Sequence, residues 1–108
     1  MSSNSNLIDV AALLQQKPVQ WGLRGDPHLW QEMSVHFAGT PLPDSAAQLE
    51  QLLTQAFETL TGQPLTTEMH IRVDRFPRSG MSGGMVSAQF WRDTAVPLLL
   101  KRFTESRP

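Results

Sequence analysis

The chain has 108 residues, of which 40% are apolar and 18% charged, and its formal net charge is −1, all values typical of one globular domain. It has no cysteine, which excludes a disulfide framework, a thiolate metal site and a cysteine nucleophile, and favours a reducing, cytoplasmic location. Its apolar runs are too short to span a bilayer, so we expect no membrane partner. We expect a disordered N-terminus at 1–6, a single α+β domain at 7–104 and a frayed C-terminus at 105–108.

Two helices and a short strand are predicted in the N-terminal part of the chain. The first helix begins at Asn6, whose side chain is suited to cap it, and ends near Lys17, before a proline. Residues 19–24 alternate loosely between apolar and polar types and predict a short strand. The second helix follows with Asp26 as its N-cap and Pro27 at its first position, where the missing N–H is no loss.

The clearest periodic patterns lie further along the chain. Residues 45–61 predict a long helix, because a serine can cap its start and apolar residues recur every three or four positions. Over residues 69–75 the apolar period changes to two, which predicts a strand with one buried side. Residues 78–84 contain three glycines and predict a loop, followed by a brief strand. Ser87 then caps a last helix, in which Pro97 is expected to cause a kink.

These elements predict an α+β fold in the order α-β-α-α-β-(β)-α. Four helices would pack on a small two- or three-stranded, mostly antiparallel sheet. Charge is divided along the chain, since residues 1–71 have two basic against seven acidic residues, and residues 72–108 have seven basic against three acidic ones. Such a division occurs in nucleic-acid-binding proteins, but mutual neutralisation of the two halves is favoured here, because the whole chain lacks a basic excess.

Sets of catalytic or metal-binding residues are not evident in the sequence. The histidines His28, His36 and His70 lack the i, i+4 spacing that places two imidazoles on one helical face for a metal ion. No Gly-x-Ser-x-Gly segment presents a serine nucleophile. We therefore predict no catalytic residue, metal or cofactor, and favour a protein that is not an enzyme.

A glycine-rich stretch, Ser-Gly-Met-Ser-Gly-Gly at 79–84, lies between a predicted strand and a predicted helix N-terminus. Backbone N–H groups in such a stretch can bind phosphate or carboxylate, and nearby guanidinium groups add charged donors. The candidate residues are Arg72, Arg75, Ser82, Gly83 and Gly84. The dinucleotide and P-loop spacings are absent, and a turn that requires glycine is the competing interpretation.

A second candidate surface combines the turn around Arg24 and Asp26 with two tryptophans, Trp30 and Trp91, near helix N-termini. Tryptophan and arginine are enriched at protein interfaces, although packing in the core is the favoured interpretation of the tryptophans. The leading hypothesis is a small, non-catalytic binding or accessory module that acts through a protein partner or its own dimer. The alternative is a domain that binds a small anionic ligand at the glycine-rich stretch, with enzymatic activity as a further option.

Overall fold

The structure is a computed structural model that describes residues 9–15 and 23–106. The predicted disordered segment 1–6 lies outside these residues. So does most of the strand predicted at 19–24, of which Leu23 and Arg24 are described as a bend and a turn. None of the helices in the described part of the chain is long and apolar enough to cross a membrane.

Helices come first in the described part of the chain, followed by a β-hairpin and a last helix. The helices are α1 (Val10–Leu13), α2 (Gly25–His36) and α3 (Ala46–Thr61), and the strands are β1 (His70–Arg75) and β2 (Ser82–Ser87). The last helix, α4, has three consecutive parts, which are Ala88–Phe90, a π-helical turn at Trp91–Ala95, and Val96–Ser106. The two strands are antiparallel, so the predicted α+β class is confirmed.

The helix predicted at 45–61 is confirmed as α3. The side-chain oxygen of Ser45 accepts a hydrogen bond from the backbone N–H of Gln48 at 3.3 Å, which caps the first turn. The apolar stripe of the helix is buried, with Leu49, Leu53 and Phe57 fully enclosed. Local signals were sufficient here because the cap and the apolar period agree.

Asp9 caps helix α1 at Val10, whereas the start predicted at Asn6 and the end predicted near Lys17 lie outside the described residues. The start of helix α2 differs from the predicted one. Helix α2 begins at Gly25, so Asp26 lies in its first turn instead of forming its N-cap. The Asp26 carboxylate instead accepts hydrogen bonds from Ser87 and Trp91, which are distant in the sequence. These bonds outweigh the local preference of aspartate for the N-cap position.

The β-hairpin has one buried face and one exposed face. Arg72 lies opposite Met85 and Val73 lies opposite Gly84 in the antiparallel register. The alternation predicted for β1 is confirmed, because Ile71 and Val73 are buried on the inner face. The outer face is exposed and consists of His70, Arg72, Asp74 and Met85. Residues 82–84, which were predicted to belong to a loop, form the first half of β2.

The hydrophobic core lies between the inner face of the hairpin and the helices. Helix α2 packs on β2, α3 packs on α4 and on β1, and α1 packs on α2. The rings of Trp30, Phe57 and Trp91 meet in this core, with centroids 5.9 Å apart for the tryptophan pair and 6.3 Å apart for Phe57 and Trp91. All three side chains are almost completely enclosed.

A change in helical winding lies directly before Pro97, the residue at which the sequence predicted a kink. The residues from Trp91 to Ala95 form a π-helical turn directly before the α-helical part that contains Pro97. Proline has no N–H to donate to the carbonyl of Asp93, and a π-turn is one way in which a helix accommodates such a break. Within this turn the Arg92 guanidinium donates to the carbonyl of Leu65 at 3.2 Å, which fixes the α3–β1 connection to α4.

Candidate functional site

The two stretches that the sequence marked as candidate sites lie against each other in the fold. Helix α2 begins directly on β2, and a methyl group added to Gly25 would lie 2.6 Å from the carbonyl oxygen of Met85. One added to Gly83 would overlap the carbonyl oxygen of Val73 across the hairpin. Glycine is required at both positions because the backbones approach too closely for any side chain. The glycines of β2 therefore have a packing role.

Asp26 is completely buried and joins α2 to the start of α4. Its Oδ1 atom accepts hydrogen bonds from Trp91 Nε1 at 2.8 Å and from the backbone N–H of Ser87 at 3.3 Å. Its Oδ2 atom accepts one from the backbone N–H of Leu23 at 3.2 Å. Burial raises the pKa of the Asp26 carboxyl, while these hydrogen bonds and the charge of His70 oppose the rise. The arrangement satisfies the carboxylate within the protein and presents none of it to solvent.

Glu32 is a second buried carboxylate, and sequence reasoning missed its role. It accepts hydrogen bonds from the backbone N–H groups of Arg78 at 2.7 Å and Ser79 at 2.9 Å, and from the Ser79 hydroxyl at 2.5 Å. The hairpin turn thus aims N–H groups at a carboxylate, as the glycine-rich stretch predicted for an anion, but the carboxylate belongs to the chain itself. The one available signal was a glutamate between the apolar residues Leu29, Trp30 and Met33 of α2.

The two tryptophans named as candidate partner contacts belong to the core. Trp30 is 1% exposed and Trp91 is 0% exposed, which excludes both from the accessible surface. The indole N–H of Trp30 donates to the carbonyl oxygen of Leu14 at 2.6 Å, and that of Trp91 donates to Asp26. Helix α2 has a broad buried face that includes Asp26 and Glu32 among its apolar residues, so the neighbouring side chains of Leu29 and Trp30 are both covered.

The remaining candidate residues are exposed but do not share a cleft with Asp26. Arg24 is exposed at the start of α2, and Arg75 and Ser82 lie opposite each other at the turn end of the hairpin. Arg72 forms a salt bridge with Asp74 on the outer face, with Nε and Oδ1 3.0 Å apart. Both of these side chains are largely solvated, at 81% and 83% exposure. The predicted anion site is therefore not assembled into one pocket by these residues.

The histidines occupy three separate places. The ring of His28 contacts Phe76, with centroids 6.3 Å apart, and the ring of His36 contacts Phe37 edge-on at 4.9 Å. His70 is exposed on the outer face of β1. Burial lowers the pKa of His36. Among residues 9–15 and 23–106, no group of three or more His, Asp or Glu side chains is placed to hold a metal ion.

The side of β1 that faces away from β2 is a further candidate surface. Strand β1 pairs with β2 on one side, and no described residue forms a strand along its other side. A groove of about 270 Å³ lies where this edge begins, between the end of α3 and the start of β1. It is lined by Thr61, Gln63, Thr67, Met69, His70, Ile71 and Arg72. We call the side of residues 69–75 that faces away from β2, together with this groove, the β1 edge.

Met69 is the most exposed large apolar side chain of the described residues, at 76%. It lies directly before β1 in the lining of the groove, to which Arg72 also contributes. The β1 edge thus combines an apolar side chain, unpaired strand backbone and two opposite charges, a combination that suits contact with another polypeptide.

No protein-family model, curated protein or solved structure matches the chain.

Proposed function

We propose that the protein is a small, non-catalytic binding module that associates with a protein partner through the β1 edge. The observation that carries the proposal is that, among residues 9–15 and 23–106, β1 has a strand neighbour on one side only. An unpaired strand edge exposes backbone N–H and C=O groups, to which an extended segment of another chain can add as a further strand. The groove beside Met69 supplies a place for a side chain of that segment.

The composition of the β1 edge supports the same function. An exposed methionine adapts its shape to an apolar partner, because its side chain is unbranched and polarisable. Arg72 and Asp74 are free to re-pair with charges on a partner, since their ion pair is solvated and contributes little to folding. The lack of cysteine supports the cytoplasm as the place where the module acts.

The alternative, a site for a small anionic ligand at the glycine-rich stretch, has less support. The backbone N–H groups of Arg78 and Ser79 donate to Glu32, and that of Gly80 donates to the carbonyl of Phe76 at 2.8 Å. A ligand at the turn would have to replace Glu32 or rely on the side chains of Arg75 and Arg78 alone. A partner at the β1 edge would not have to displace a carboxylate of the chain itself.

Selection of peptides against the protein tests the proposed function. A phage library of random peptides of about twelve residues, long enough to extend along a strand, is selected on the immobilised protein. Recovered peptides are then titrated into isotope-labelled protein and followed by NMR. We expect amide shifts concentrated at residues 69–75 and loss of binding in Met69→Asp. The matched control is Val35→Asp, at another exposed apolar side chain, on α2, and it should bind as the wild type does.

Two results would contradict the proposal. Peptides that bind tightly but shift only amides outside residues 69–75 would place the binding surface elsewhere. Equal loss of binding in Met69→Asp and Val35→Asp would show that the groove has no special role. Circular dichroism of each variant distinguishes loss of binding from loss of structure.

A further inference from the structure

We infer that the partner at the β1 edge is a second copy of this chain, whose β1 pairs antiparallel with the first around a twofold axis at Val73. The inference rests on the proposed function, because it names the occupant of the same edge. It follows from the order of the charged residues along β1, where Arg72 and Asp74 flank Val73 symmetrically. The result would be one continuous sheet of four strands, a more common size than two.

The twofold axis at Val73 brings opposite charges together at both positions. In this register Arg72 lies directly opposite Asp74 of the second copy, and Asp74 lies opposite Arg72 of the second copy. Opposite charges across an antiparallel pair stabilise it. Both side chains are more than four-fifths exposed on the outer face, so their salt bridge within one strand can be exchanged for two between strands without disturbing the core.

Neighbouring registers lack this complementarity. An axis at Arg72 would place the two Arg72 guanidinium groups opposite each other, and an axis at Asp74 would do the same with the two carboxylates. Like charges directly opposite destabilise an antiparallel pair. A shift of one residue would put the outer face of one copy beside the inner face of the other, because strand side chains alternate. The charges therefore select the register at Val73.

The same register covers the groove. Ile71, which contributes to the groove lining, would lie opposite Arg75 of the second copy. Arg75 is exposed, and its aliphatic stem can lie over Met69 and Ile71 while its guanidinium stays in water. The exposed apolar surface of the β1 edge would be buried twice in the dimer, once on each copy.

Charge reversal at the two positions tests the inference by sedimentation velocity over micromolar to millimolar concentrations. We expect the wild type to form a dimer, and Arg72→Asp and Asp74→Arg each to weaken it at least about tenfold, because each sets like charges opposite each other twice. An equimolar mixture of the two single variants should regain wild-type affinity, since the mixed pair again has opposite charges at both positions. The double variant Arg72→Asp/Asp74→Arg should also dimerise as the wild type does. Lys101→Asp, at an exposed position on α4, is the matched control and should leave affinity within about twofold.

Three other outcomes would contradict the inference. A wild type that stays monomeric up to millimolar concentration, while selected peptides still shift residues 69–75, overturns the inference and leaves the proposed function in place. A dimer that tolerates both single reversals, with no hydrogen-exchange protection over residues 69–75, overturns the inference and the proposed function together. Two monomeric single variants that fail to associate when mixed overturn the register. The double variant keeps both side chains and so reports on the pairing even where a single variant is less stable.

Discussion

On the inner side of the hairpin, two carboxylates are buried and hydrogen-bonded, whereas on its outer side Arg72 and Asp74 form an ion pair exposed to solvent. Asp26 and Glu32 each accept three hydrogen bonds from groups distant in the sequence or in the preceding turn. Removing either the buried carboxylate or its hydrogen-bond donors leaves the other without a partner, which lowers the free energy of unfolding by a large fraction in a domain of this size. The inner charges are therefore part of the fold, and the outer charges remain available for binding.

The largest effect is expected where a buried carboxylate is removed. Glu32→Ala leaves two backbone N–H groups and the Ser79 hydroxyl without their acceptor, and should lower the free energy of unfolding by about 3–5 kcal/mol. Urea denaturation measures it. The control is Glu58→Ala on the exposed side of α3, with an expected change below about 0.5 kcal/mol. A loss below about 1 kcal/mol for Glu32→Ala would mean that the turn does not depend on this carboxylate.

The next effect concerns the close packing of α2 on β2. Gly25→Ala adds a methyl group 2.6 Å from the carbonyl oxygen of Met85, so α2 or β2 must shift, at a cost of about 1–3 kcal/mol. The same denaturation experiment measures it, with Gln31→Ala as the control on the exposed side of α2. If Gly25→Ala proved as stable as Gln31→Ala, the contact between α2 and β2 would be looser than the structure has it.

The raised pKa of Asp26 predicts a pH dependence with a definite sign. Burial raises the pKa of this carboxyl in the folded state above its ordinary value of 3.8, so the folded state holds the proton more tightly than the unfolded state. Stability from the protonated group is present at acidic pH and is lost as pH rises from about 4 through the folded pKa. The wild type should therefore lose stability relative to Asp26→Asn over this interval, by at most about 1.4 kcal/mol per pH unit.

Denaturation curves of the wild type and Asp26→Asn at a series of pH values check this prediction. Both proteins share every other titrating group, so the difference between them isolates Asp26. A difference that stays constant, or that grows in favour of the wild type as pH rises, would show that the hydrogen bonds to the carboxylate outweigh its burial.

The smallest effect on stability is expected on the outer side. Arg72→Asp removes a solvated ion pair and should change the free energy of unfolding by less than about 1 kcal/mol, measured at a concentration where the protein is monomeric. The same variant should lose self-association, which separates binding from folding at one residue. If it unfolded as readily as Glu32→Ala, the contrast between the two sides of the hairpin would be wrong.

Helix α3 and strand β1 were predictable from the sequence within a residue at their ends. Their signals are local, since a serine caps α3 and apolar residues follow a helical period there and a period of two in β1. The cap at Ser87 was also predicted, and its Oγ accepts from the backbone N–H of Phe90 at 3.1 Å. The β1 edge was missed as a surface, because periodicity assigns a strand but does not say which of its sides is paired.

Residue type and spacing thus determine helix α3, strand β1 and its buried side, because each depends on neighbours a few positions away. The α+β class follows from these segments. The roles of Asp26 and Glu32 depend on donors 61 and 65 residues away for the first and 46 and 47 residues away for the second. The need for glycine at Gly25 likewise comes from a strand that only folding brings beside it. Long-range packing buries Asp26, Glu32 and the two tryptophans, and it leaves the β1 edge as the surface through which we propose that the protein binds.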